Sequence, residues 1–188
     1  ADNFEEVTVL FADLVGFTPL AAQLSPTRVV DLLNQIFSQF DRLSEEHGLE
    51  KIKTIGDAYM VVGGLPTPRE DHADAIAQMA LDMQQAIATF NDCNQQNLNI
   101  RIGIHSGPVV AGIIGIKKFN YDLWGDTVNI ASRMESQGLA GQIQVSEATY
   151  ERLRDRYQFV QRGKLRVKGK GEMTTYLLVH PFENDSNS

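Results

Sequence analysis

The stretch Lys51-Ile52-Lys53-Thr54-Ile55-Gly56-Asp57-Ala58-Tyr59-Met60-Val61-Val62 reads as two apolar strands joined by a tight turn. Gly56 supplies the positive φ that such a turn needs, so Asp57 is predicted at a rigid hairpin tip, facing outward. A second Asp occupies a similar place much earlier, where the apolar run Val7-Thr8-Val9-Leu10-Phe11-Ala12 leads straight into Asp13. Either Asp alone is a common turn residue that bonds its own backbone. If the two strands are neighbours, however, the carboxylates converge. One or two carboxylates are what Mg²⁺ takes from a protein when substrate phosphates complete its shell.

Working outward, Asp13-Leu14-Val15-Gly16-Phe17-Thr18 contains a bend at Gly16 whose free backbone N–H groups suit phosphate oxygens. Ser25-Pro26 marks a helix start. Val29, Leu33, Ile36, Phe40 and Leu43 follow at helical spacing, widened by Leu32 and Phe37, until Gly48 ends the helix. After the hairpin, Gly63 to Pro68 is a loop by composition. Asp71 is expected to cap a second helix with Ile76, Ala80, Met83, Ile87 and Phe90 on one face. Two long amphipathic helices need a sheet to cover. Ile100 to His105 and Val109 to Ile114 are expected as two strands parted by a Ser106-Gly107-Pro108 turn. His105 is read as a satisfied core or edge histidine, because no His or Cys stands at metal-ligand spacing from it.

From Asp126, taken as the N-cap, Thr127 to Met134 reads as a helix that stops before Gly138. Asn129 and Arg133 are four residues apart and therefore share a face. The flanking Val128, Ile130, Ala131 and Met134 leave little room for a broad polar side, so these two read as residues with a task. A strand at Gln142 to Val145 and a short helix capped by Ser146 come next. Strands then flank Lys168-Gly169-Lys170-Gly171. Lysines on a glycine-rich turn suit a triphosphate by charge and reach, and equally suit a solubilising edge turn.

The totals bound the function. The 188 residues are expected to form a single domain with a core from about residue 7 to 180 and a flexible tail over 181–188. A formal net charge of -7 argues against a nucleic-acid partner. Cys93 is alone and cannot form an intramolecular disulfide, which favours a reducing, cytoplasmic setting. No apolar run is long enough to span a bilayer. The first residues lack signal-peptide character and look like the cut start of a domain within a longer protein.

Phe11 to Thr18, Lys53 to Tyr59, Gly103 to Gly107, Trp124 to Met134 and Val167 to Gly171, in this order, resemble the class III nucleotide cyclase catalytic domain shared by adenylyl and guanylyl cyclases. The resemblance covers about Val7 to Val179. It implies an α+β fold, a mostly antiparallel sheet in ferredoxin-like palm order covered by helices on one face. It also implies a reaction in which the ribose 3′-OH of a nucleoside triphosphate attacks the α-phosphorus and pyrophosphate leaves. Two Mg²⁺ or Mn²⁺ ions per site would be held by Asp13, Asp57 and the backbone carbonyl of Leu14. Asn129 would orient the ribose and Arg133 would stabilise charge on the phosphate. Lys168, with Gly16, Phe17 and Thr18, would bind phosphates. The family's site lies between two domains, and this chain carries both residue sets. A head-to-tail homodimer with two sites is therefore expected, with regulatory domains outside this stretch. Pro108 departs from the Arg that many members place after the His-Ser/Thr-Gly turn and matches guanylyl-type members.

In the family, the positions of Lys53 and Asp122 choose the purine. Lysine only donates and ionised aspartate only accepts, which satisfies the N1 acceptor and N6 donor of adenine and mismatches guanine. Adenylyl cyclase is the expected activity and ATP the expected substrate. GTP and guanylyl cyclase are the alternative, since Ile55 to Pro66 and Ser106 to Gly115 look guanylyl-like. An inactive nucleotide-binding or dimerisation module is disfavoured because no implied metal or transition-state residue is missing. A diguanylate cyclase is disfavoured because its Gly-Gly-Asp/Glu-Glu-Phe signature is absent.

Overall fold

Strand β1 (Asp2–Val15) runs through the middle of the sheet, and its alternation explains the layering. In the computed structural model, which describes residues 1–183, Leu10, Ala12 and Leu14 point to one face and Val7 and Val9 to the other. β1 is flanked on one side by the hairpin β2 (Glu50–Ile55) and β3 (Ala58–Gly63), and on the other by β4 (Asn99–Ile114). The order β2-β3-β1-β4 is that of a ferredoxin-like unit, and β6 (Ile143–Ser146), β8 (Gly171–Pro181) and β7 (Tyr157–Val167) extend it beyond β4. β5 (Asn120–Trp124) folds back on the far end of β4. Pairing is antiparallel throughout, apart from the parallel contact between β4 and β6.

Helices α2 (Pro26–Glu46) and α3 (His72–Asn94) cover one face. From α2, Leu32, Ile36, Phe40 and Leu43 are buried; from α3, Ile76, Ala80, Met83, Ile87 and Phe90 join them. Each of these side chains other than Ala80 contributes about 1.5–3 kcal/mol by leaving water. The caps follow the residue chemistry in part. Ser25 Oγ accepts the Arg28 N–H at 3.3 Å and Ser146 Oγ accepts the Thr149 N–H at 3.4 Å, the latter opening α5 (Glu147–Leu153). Asp71 stands at the head of α3, but its carboxylate is clamped by Arg69 instead of capping (2.6 and 2.8 Å).

Several expectations are corrected. The Ser106-Gly107-Pro108 turn does not exist: β4 is one continuous strand of 16 residues. Proline is tolerated inside it because the pairing register with β1 slips between Phe4 and Val7, leaving Pro108 opposite a bulge where no ladder N–H is required. Helices cover both faces rather than one, since α4 (Asp126–Ser136) lies on the side of Val9, Met60 and Val109. Its N-cap is Gly125, at φ 129°, and not Asp126, which falls in the first turn and pairs with Lys170 at 3.0 Å. A short helix, α1 (Phe17–Ala22), begins directly after Gly16 and was not expected. Of the predicted tail, Pro181 closes β8 and the Phe182 N–H donates to the Arg156 carbonyl, while residues 184–188 lie outside the described part. No helix among the described residues is long and apolar enough to cross a membrane.

Candidate active site

The β2–β3 turn has two residues, Gly56 and Asp57, with Ile55 paired to Ala58. Gly56 takes φ 58° at the first turn position, the place where two-residue hairpin turns favour glycine. Because β3 pairs with β1 through Asp13↔Ala58, the tip continues alongside the end of β1, and the Leu14 N–H donates to the Asp57 carbonyl at 3.2 Å. The two carboxyl groups therefore meet. Burial pushes the Asp13 pKa up to about 6, the adjacent Asp57 carboxyl and then the charge of Glu135 on α4 add to the rise, and Arg101 opposes it. Two carboxyls crowded together in this way suit a hard cation, which would relieve their repulsion. Among the described residues no third acidic, His or Cys ligand completes a cage, which leaves coordination positions for water and phosphate oxygens. Leu14, next along the strand after Asp13, buries its side chain under the helices.

Helix α4 carries the second group. Ile130, Ala131 and Met134 are buried against the sheet, which turns Asn129 and Arg133 outward. They line a cleft of about 400 Å³ together with Asp126, Ser132, Lys168 and Lys170, the lysines coming from the β7–β8 turn. The cleft sets an amide, a guanidinium and two ammonium groups against one carboxylate, Asp126, which already pairs with Lys170, so its net positive charge suits an anion. The Phe17 and Thr18 backbone N–H groups head α1 behind Gly16, at φ 90°, with no side-chain cap. They lie on the β1 side, next in sequence to the carboxylate pair.

Lys53 and Asp122 form the third group. Lys53 Nζ lies 2.8 Å from Asp122 Oδ2, and the other carboxylate oxygen accepts the Leu123 N–H at 2.8 Å. One donor and one acceptor are thus fixed side by side on β2 and β5. Only Gly125 and Trp124 separate β5's Leu123 from α4, so this pair and the anion cleft are built on one continuous stretch.

Sequence reasoning missed Arg101 and Glu135. Arg101, on β4, places Nε 2.6 Å from Glu135 Oε2 of α4 and Nη2 3.3 Å from Asp13 Oδ2. The signal was present: Arg101 interrupts the apolar strand Ile100 to Ile104 on the same face as Gly103, the face against which α4 packs. His105 is buried beside Ser146 Oγ, and burial holds its pKa down to about 4, so it is a neutral, hydrogen-bonded core histidine.

With this geometry in hand, a family profile described as "Adenylate and Guanylate cyclase catalytic domain" matches residues 1–180. The chain belongs to the class III nucleotide cyclase family. It is 50% identical over 179 residues to an adenylate cyclase of Mycobacterium tuberculosis, covering 95% of this chain and 40% of that protein. It is also 48% identical over 181 residues to the guanylate cyclase soluble subunit beta-2 of Rattus norvegicus, covering 95% of this chain and 26% of that one. The chain thus spans well under half the length of these relatives. The guanylate cyclase domain of RhGC from Catenaria anguillulae, solved in complex with GTP, superposes with a TM-score of 0.92 at 40% identity, covering 96% of this chain and all of that one. Dimeric cyclase domains are among the structural neighbours. Cyclases of this family use divalent metal ions, in keeping with the paired carboxylates of Asp13 and Asp57.

Proposed function

We propose that this domain is an adenylyl cyclase, converting ATP to 3′,5′-cyclic AMP and pyrophosphate at sites shared by two copies of the chain. The observation that carries the choice of ATP is the Lys53–Asp122 pair at 2.8 Å. Asp122 is anchored through the Leu123 N–H and offers an acceptor to the N6 amino group, while Lys53 offers a donor to N1. Guanine would set its N1–H against a lysine and its O6 against a carboxylate, and unpaired polar groups in a base site reduce selectivity for that base by orders of magnitude. GTP is the second reading, favoured by guanylate cyclase relatives almost as similar as the adenylate cyclase one.

Two divalent ions, Mg²⁺ or Mn²⁺, held by Asp13, Asp57 and the Leu14 carbonyl, would acidify the 3′-hydroxyl and neutralise the leaving pyrophosphate. The chain's own groups do the rest. Asn129 holds the ribose, Arg133 meets the charge that builds on the α-phosphate, and Lys168 with the Gly16 to Thr18 backbone grips the outer phosphates. Positioning and preorganised charge of this kind supply most of the acceleration in phosphoryl chemistry. No dedicated general base is required of the chain.

The assembly is read as a head-to-tail homodimer. Each chain holds the metal carboxylates and the anion cleft as separate groups, and the β4–β5 hairpin presents Ile113, Ile114, Ile116 and Phe119 at 64%, 60%, 93% and 74% exposure. An apolar patch of that kind on a projecting hairpin is what a partner surface covers. The deciding experiment is kcat/KM for ATP and for GTP in parallel, with Mg²⁺ and with Mn²⁺, on wild type and on a Lys53→Glu/Asp122→Ser variant. Wild-type preference for ATP that moves toward GTP in the variant supports the reading. A wild-type preference for GTP refutes the base assignment.

A further inference from the structure

Arg101 poses a problem for a cation site. The Nε and Nη2 edge of a guanidinium matches the two oxygens of a carboxylate, and Arg–carboxylate pairs commonly close into such a two-bond clamp. A clamp of that kind on Asp13 would occupy the oxygens a divalent ion needs and set a fixed positive charge beside it. In this structure the edge is divided. Nε makes the short contact, 2.6 Å, with Glu135 Oε2, and only Nη2 reaches Asp13, at 3.3 Å. The latter exceeds the usual 2.7–2.9 Å of charge-assisted bonds.

The division is built into the backbone. Glu135 stands in the last turn of α4, and that turn is seated directly on β4: a Cβ added to Gly103 would lie 1.9 Å from the Glu135 nitrogen. A Cβ on Gly138 would lie 3.4 Å from Arg101 Cγ, so the arginine stem runs beneath the end of the helix. Glu135 is 12% exposed and therefore held close to the guanidinium rather than free to swing into solvent.

We propose that Glu135 is a positioning residue that draws the Arg101 guanidinium away from Asp13 and so keeps Asp13 available to a divalent cation. This rests on the reading of Asp13 and Asp57 as cation ligands. It assigns the Arg101–Glu135 pair a function beyond joining α4 to β4: without the glutamate the arginine becomes a competitor for the metal carboxylate.

The test is direct Mn²⁺ binding, followed by water-proton relaxation enhancement on purified protein without nucleotide, with thermal unfolding alongside to confirm folding. Glu135→Gln keeps the shape and removes the charge, and is expected to weaken Mn²⁺ binding about tenfold, the scale of one nearby charge in a partly buried site. Arg101→Gln/Glu135→Gln removes the competitor as well and is expected to recover Mn²⁺ affinity to within about threefold of wild type. Arg101→Gln alone separates this from a purely structural pair: with the competitor gone, Mn²⁺ affinity is expected at or above wild type, whereas a structural pair is broken by either single substitution and binding weakens in both. Wild-type affinity in Glu135→Gln, or a double variant as weak as the single one, overturns the proposal. Asp57→Ala is the control on the underlying reading. If it binds Mn²⁺ like wild type, the cation site lies elsewhere and the proposal falls with it.

Discussion

Asp13→Asn is expected to stabilise the domain while destroying its activity. The folded-state pKa of Asp13 is about 6, against an ordinary 3.8, because burial and Asp57 favour the protonated form. A raised carboxyl pKa means that the folded chain holds the proton more tightly than the unfolded one. The contribution of this group is therefore fully present below about pH 4 and is lost as pH rises through about 6. The displacement corresponds to at most about 3 kcal/mol. The side chain is 25% exposed, so screening by water and counter-ions reduces the expected gain to about 1–2 kcal/mol. For a chain of this length that raises Tm by about 3–6 °C. Asparagine keeps an oxygen for Arg101 Nη2 and removes the charge that faces Asp57. Thermal unfolding with a chelator present, at about pH 7.5 and about pH 4, measures the effect. The variant should be the more stable at the higher pH and equal to wild type at the lower one. Added Mg²⁺ should raise Tm in wild type but not in the variant. A variant no more stable than wild type at about pH 7.5, or one whose advantage persists at about pH 4, would refute the electrostatic account.

If sites are shared across a two-fold, Asp57→Ala and Arg133→Ala should each be inactive as homodimers, yet mixing and re-equilibrating them should return about a quarter of wild-type activity, because half the dimers then hold one intact site. Absence of recovery, with mixed dimers demonstrated, would place both residues in one site of one chain. Gly103→Ala should lower stability by about 2 kcal/mol or more, since its Cβ meets the Glu135 backbone 1.9 Å away and cannot be relieved by a side-chain rotation; denaturant unfolding reads this directly. Ile116→Asp/Phe119→Asp should shift sedimentation toward monomer and reduce turnover while leaving Tm near that of the wild-type monomer. An unchanged dimer would remove the β4–β5 hairpin from the interface.

Much of the site could be read along the chain because its chemistry is local. Gly56-Asp57 is a two-residue turn between apolar strands, Asn129 and Arg133 share a helix face by spacing, and the lysines sit on a glycine turn. Each follows from a few neighbouring residues. Glycines were the point of failure. Gly107 and Pro108 carry the composition of a turn, yet Gly107 is glycine because a Cβ there would lie 2.6 Å from Thr127 Oγ1 of α4, and Pro108 is permitted by a bulge in the opposing strand. A residue chosen for the close approach of a distant helix has no local signature.

The sequence by itself determined which residues carry charge, which faces are apolar and where the hairpin and helix α4 begin and end to within a residue. Only the tertiary structure decided that β1 and β3 are neighbours, which turns two ordinary aspartates into a pair with a raised pKa at Asp13. It likewise decided that α4 lies on the opposite face from α2 and α3, where Glu135 meets Arg101. The physical reason is range. Turn preference and helical spacing act over a few residues, whereas the repulsion between Asp13 and Asp57, 44 positions apart in the chain, exists only once the sheet has brought them into contact.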